Sequence, residues 1–151
     1  HQVAVSGPAA DPFKDGQAAY ARGDYATALR VLGPLAEQGN AGAQLGLGMM
    51  NANGWGVPQD DAEAARWWLL AADQGDVFAQ FNLGVMFARG TGVPKDFIQA
   101  YLWLILAASQ GPETGLKNNE DAVKLRDALA EVMSPAQIAE AQRLASAWRP
   151  K

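Results

Sequence analysis

At 151 residues the chain has room for one domain with its own core and is short for two. Hydrophobic residues make up 49% and charged residues 19%, the balance of a folded domain rather than of a disordered chain. A formal net charge of -4 supplies no basic surface to neutralise phosphates, which argues against nucleic acid and anionic membrane as partners. The absence of cysteine excludes disulfides, thiolate metal sites and cysteine nucleophiles, while leaving the redox compartment open. The longest strongly apolar run, Tyr101 to Ala108, is far shorter than the roughly 18 residues that span a bilayer, so no membrane insertion is expected.

Residues 1–12 read as a flexible leader, because Val3 to Pro12 is rich in Ala, Ser, Gly and Pro. A start at His1 without Met fits a trimmed segment, so a removed export signal and a periplasmic or otherwise exported location are expected. An N-terminal His can chelate copper, but the oxidative sites that use it need a second His, and none follows.

From residue 13 to 148 the sequence reads as one helical-repeat domain. Gly48 recurs as Gly84, Trp67 as Trp103 and Gly75 as Gly111, each 36 residues on. Ala43-Gln44 returns as Ala79-Gln80, Gly56-Val57-Pro58 as Gly92-Val93-Pro94, and Ala71-Ala72 as Ala107-Ala108. The register extends upstream, where Asp24, Ala28, Ala36, Gln38 and Gly39 precede Asp60, Ala64, Ala72, Gln74 and Gly75 by one period. The units are therefore 13–39, 41–75 and 77–111. Each reads as two helices. In the third, the apolar run Phe78, Phe81, Leu83, Val85, Met86 and Phe87 forms helix A, which ends at Gly90. Gly92-Val93-Pro94 turns the chain, and Asp96 with Gln99 has the spacing of a reciprocal capping box for helix B. Asp60 and Glu63 repeat the device in the second unit. Ala64, Ala71, Ala72, Ala100, Ala107 and Ala108 admit close helix packing, with Trp67 and Trp103 filling the space between layers. One helix pair cannot cover its own apolar face, so neighbouring pairs must.

Ala79, Leu83, Gly84, Phe87, Gly90, Gly92-Val93-Pro94, Asp96, Ala100, Trp103, Ala107-Ala108 and Gly111 resemble the consensus of the Sel-one-like repeat family, a longer-looped relative of tetratricopeptide repeats. The resemblance covers Ala41 to Gly111. The first unit lacks the Gly-X-Gly-Val-Pro insertion and, with Gly16, Ala28 and Asn40, looks more like a tetratricopeptide repeat. It implies an all-α solenoid of stacked antiparallel helix pairs curving as a right-handed superhelix, and work as a protein-binding scaffold in a bacterium. Pro112 to Asn118 breaks the register and reads as a loop. A capping helix pair over 118–148 is expected next: Ala122, Leu125, Leu129 and Val132 keep helical spacing, and Ser134-Pro135 with Gln137 opens a last helix whose buried side is Ile138, Ala141, Ala145 and Trp148.

Little in the chain favours catalysis. The one His is at position 1, and Ser109 and Ser134 have no base to activate them. Asp60, Asp61 and Glu63 sit where capping and the helix dipole explain them. The glycine turns are preceded by no strand and followed by no Lys-Ser or Lys-Thr, so they are not phosphate loops. Some cysteine-rich relatives are linked to cell-wall or β-lactam chemistry, but this chain lacks their paired cysteines, so no enzyme, cofactor or metal is expected. By analogy with tetratricopeptide repeats, helix A lines the concave surface. Aligning on Gly16, Gly48 and Gly84 turns Phe13, Gln17, Leu45, Met49, Asn53, Phe78, Phe81, Val85 and Arg89 toward it, a seat for a partner protein or peptide. Phe78 and Phe81 fit equally well as packing between pairs. Trp55 stands where the next unit has Thr91 and is either a binding anchor or a ring packed on a neighbouring turn. Trp68, matched by Leu104, reads as a second buried or convex-face position. A constitutive subunit of a larger envelope complex is the alternative role.

Overall fold

The computed structural model describes residues 11–110 and 117–151, and all of its regular elements are helices. The positions 1–10 of the leader, the His1 reading and most of the loop at 112–118 lie outside the described residues. The helices are α1 (Pro12–Ala21), α2 (Tyr25–Glu37), α3 (Ala41–Asn53), α4 (Asp61–Asp73), α5 (Val77–Arg89), α6 (Phe97–Ala108), α7 (Lys117–Val132) and α8 (Pro135–Ala147). Thus α1, α3 and α5 are the A helices of the three units, and α2, α4 and α6 the B helices.

Short polar side chains start these helices. Asp11, Asp24, Asn40, Asp60, Asp76, Asp96 and Ser134 each accept the backbone N–H three residues on, satisfying a donor the helix itself leaves free. The capping boxes expected at Asp60 and Asp96 are only half made. The Asp60 N–H donates to the Asn51 carbonyl at 2.8 Å and the Asp96 N–H to the Phe87 carbonyl at 2.9 Å, so neither is available to the residue at N3. Glu63 turns instead to Arg66, which donates two bonds of 2.9 and 2.8 Å. The full reciprocal box forms at Ser134 and Gln137.

Successive helices pack on one another from α1 through α7, and α8 packs on α6. Within each unit a B-helix side chain enters the A helix at a glycine: Leu32 at Gly16, Trp68 at Gly48 and Leu104 at Gly84. Gly84 has no room for a methyl, since its Cβ would stand 2.8 Å from the Leu104 Cγ. Between units, the glycine turns following α3 and α5 dock on the start of the preceding B helix. Gly56 meets Tyr25, and Gly92, held at φ +74°, lies so close to the Asp61 carbonyl that no side chain fits. Two buried glutamines tie the layers. Gln44 donates to the Ala36 carbonyl at 3.1 Å and Gln80 to the Ala72 carbonyl at 3.2 Å, one at each junction between units. Gln74 donates to both Gly39 O and Gln44 Oε1 at 3.0 Å.

The terminal segment departs from the expected pair. The main contacts of α7 and α8 are with α6 rather than with each other. Val132, expected in the buried stripe of α7, is 66% exposed, and Met133 is buried in its place. A step of four residues from Leu129 reaches 133, and that side of the helix faces the core shared with Tyr101 and Leu104.

Candidate functional site

Along the A helices the structure opens two hollows related by the repeat. The first, about 250 Å³, is walled by Phe13, Gln17 and Tyr20 of α1 and by Leu45 and Met49 of α3, with Leu32 as its floor. The second, about 240 Å³, lies between Ala52 of α3 and Phe81, Asn82, Val85 and Arg89 of α5, and Trp68 takes the floor position. Leu32 and Trp68 are the same knob one period apart. Each therefore serves twice, filling the glycine notch beneath and surfacing the groove above. The Trp68 indole N–H donates to the Leu45 carbonyl at 3.2 Å, fixing the ring between the two hollows. Asn82 joins them by an Nδ2–H bond to the Met49 Sδ at 3.7 Å.

Both hollows are lined mainly by apolar side chains. Gln17 and Tyr20 bring polar atoms to the first, and Asn82, Arg89, Thr91 and Asp61 to the second. Burial holds the Tyr20 hydroxyl above its usual pKa, and the neighbouring Tyr25 adds to the shift, so Tyr20 enters the first hollow as a neutral phenol. Among the described residues no cluster of His, Asp and Glu is placed to hold a metal ion. None of the described helices is long and apolar enough to cross a membrane.

The expected groove residues divide. Phe13, Gln17, Leu45 and Met49 meet in the first hollow, and Phe81, Val85 and Arg89 in the second. Asn53, Phe78 and Trp55 line neither. Asn53 bonds back to the Met49 carbonyl at 2.8 Å at the end of its helix. Phe78 is 37% exposed in the first turn of α5. Trp55 packs onto the turn at the start of α2: its ring stacks on Tyr25 with centroids 5.3 Å apart and meets the edge of Tyr20 at 6.1 Å. Packing, the second of its two readings, is what the ring does here. Tyr20, Gly42, Gly46 and Asn82 were not among the expected lining residues. The signal for the glycines is a mismatch between units, Gly42 and Gly46 standing where the next has Phe78 and Asn82, and the Phe13 ring lies over Gly42.

Comparison with known proteins agrees with the helical-repeat fold. The Sel1 repeat model matches residues 41–76 and 77–112. A solved structure from uropathogenic Escherichia coli, the protective antigen c5321 displaying an SLR fold, is 26% identical with a TM-score of 0.80. It covers 91% of this chain, which in turn spans 29% of its length. A Sel1 repeat protein from Oxalobacter formigenes is 36% identical with a TM-score of 0.62 over 65% of this chain and 40% of its own. No curated protein matches. Sel1 repeats generally serve as protein-interaction scaffolds. Residues 41–112 match two Sel1 repeats, and the chain has the fold of the SLR-fold helical-repeat proteins.

Proposed function

We propose that this chain is a non-catalytic adaptor or assembly scaffold that seats a segment of a partner protein across its A helices. One observation carries the reading: two apolar hollows of about 250 and 240 Å³ lie in repeat-equivalent places on one face, linked through Met49 and Asn82. A row of this kind offers a guest segment apolar area at two points and a polar group, Arg89 or Gln17, to orient it. The lack of cysteine and the single His support the non-catalytic part. Similarity to a bacterial protective antigen supports a bacterial, exported setting, the periplasm on our reading.

A photocrosslinking residue placed at Met49 or at Phe81 in host cells tests this. Both positions are expected to trap the same partner, and exposed Ala62 on α4 to trap none. Met49→Ala with Phe81→Ala is expected to lower capture by about tenfold while leaving the helical signal intact. Capture that is unchanged in the double variant, with no product from either groove position, refutes the assignment. A second reading, a permanent subunit of a larger envelope complex, draws support from Leu69 and Leu70, two adjacent leucines exposed on α4 away from both hollows. Comigration with a large complex in native extracts that survives the double variant favours it.

A further inference from the structure

The helix α8 shows how the outer side of a B helix is covered in this chain. Leu144, Ala145 and Trp148 pack on the core that holds Trp103 and Leu106, and beside them Ile105 and Ser109 of α6 face Gln142 and Ser146 of α8 across a hollow of about 300 Å³. Beyond α8 the chain reaches one unit back. The Trp148 ring lies over the turn at Gly75, 3.8 Å from where a Cβ would stand. The Lys151 N–H donates to the Asp73 carbonyl at 2.8 Å, and its ammonium pairs with the Asp73 carboxylate at 3.2 Å. The seat thus consists of a tryptophan, two aliphatic residues, a turn glycine and an acid that ends the preceding B helix.

The period writes the same seat again 36 residues upstream. Trp67 stands for Trp103, Leu69 and Leu70 for Ile105 and Leu106, Gly39 for Gly75, and Glu37 for Asp73. None of the described residues plays the part of α8 there. Leu69 and Leu70 are 43% and 41% exposed, against 9% for Leu106. Nothing lies within 4 Å of a Cβ at Gly39, and Glu37 is exposed. A hollow of about 270 Å³ lies where α2 and α4 meet α3, and Glu37 and Trp67 of this seat are in its lining together with Leu29 and Gly33. One position departs: Arg66 replaces Leu102, its guanidinium 4.3 Å above the Trp67 ring, so the upstream seat has a cationic edge.

We propose that this upstream seat docks an amphipathic helix of a partner protein built like α8, with small and aliphatic residues on one face, an aromatic residue after them, and a base to meet Glu37. The occupant is named by what fills the repeat-equivalent seat within the chain itself. The site uses the B helices and stands independently of the helix-A groove.

A blocked, fluorescently labelled peptide of residues 134–151 is the probe, titrated into the full chain by anisotropy. Saturable binding is expected with a dissociation constant on the order of micromolar to submillimolar. Leu69→Glu with Leu70→Glu is expected to weaken it about tenfold, and both leucines are exposed, so the variant keeps its fold by circular dichroism. Glu37→Lys is expected to weaken binding about threefold, and a peptide carrying Lys151→Glu to restore it. Absence of binding up to about 1 mM overturns the proposal. So does equal binding to the leucine variant, which means that the peptide exchanges with the chain's own α8.

Discussion

Replacing Gly84 with alanine sets two effects of opposite sign against each other. Alanine in a helix interior is favoured over glycine by roughly 1 kcal/mol. The new methyl, however, would stand 2.8 and 2.9 Å from the Cγ and Cδ2 of Leu104, and 3.4 Å from the Ala100 carbonyl oxygen. Carbon atoms rest near 3.5–4.0 Å apart, so either Leu104 leaves its rotamer or α5 and α6 separate by close to an ångström. Leu104 is fully buried, so any new rotamer must be accommodated within a closely packed core. Overpacking of this kind costs about 1–3 kcal/mol, and the overlap here belongs at the upper end, leaving a net loss of about 1–2 kcal/mol. For a chain of this size that lowers Tm by about 2–8 °C. Leu104→Ala alone is expected to cost about 2–5 kcal/mol through its cavity. In the double variant the new methyl enters that cavity, so the two losses should fall short of additive by at least about 1 kcal/mol. Urea and thermal melts of the four proteins measure the cycle. A stabilising Gly84→Ala, or strict additivity, would refute the notch-and-knob account of how each helix pair closes.

Trp55→Ala removes a ring stacked on Tyr25 and is expected to destabilise by about 1–3 kcal/mol; partner capture at 25 °C should be unaffected, and a loss of capture without a lower Tm would return Trp55 to the binding surface. Asp76 caps α5 where Asn40 caps α3, and burial raises its carboxyl pKa above the usual value. The charged form is thus disfavoured in the fold, so the carboxyl helps stability below its unfolded pKa and loses that help as pH rises through the folded value. Asp76→Asn is therefore expected to gain on the parent protein at pH 7, with the gain shrinking as the pH falls through the carboxylate range, as read from paired melts. At the end of α7, Met133→Ala should cost about 2–4 kcal/mol and Val132→Ala less than about 0.5 kcal/mol. Equal losses in denaturant melts would restore Val132 to the core.

The two repeats over 41–112, the A and B helices and the glycine-marked turns were legible because a 36-residue period repeats local chemistry that needs no knowledge of neighbours. The hollow walls Phe13, Leu45 and Phe81 came from the same alignment. What escaped depends on contacts between distant residues. The half-made capping boxes follow from Asn51 and Phe87 claiming the N–H groups of Asp60 and Asp96 across a turn. Trp55 finds Tyr25 from another unit, thirty positions away in sequence. The α8 helix obeys its own amphipathic pattern, but that pattern does not say which helix it will lie on, and it chose α6. Gly42 and Gly46 shape the first hollow by what they lack, a signal visible only beside Phe78 and Asn82.

The docking of each glycine turn on the unit before it has a consequence for evolution of length. A 36-residue block duplicated at the boundary after Gly75 would arrive with a turn glycine ready for the carbonyl upstream and a fresh carbonyl ready for the glycine downstream. No joint would have to be redesigned. On the proposed function, copy number then sets how long a guest segment can be, and a longer or shorter reach is available by gene duplication or deletion without a single new contact type.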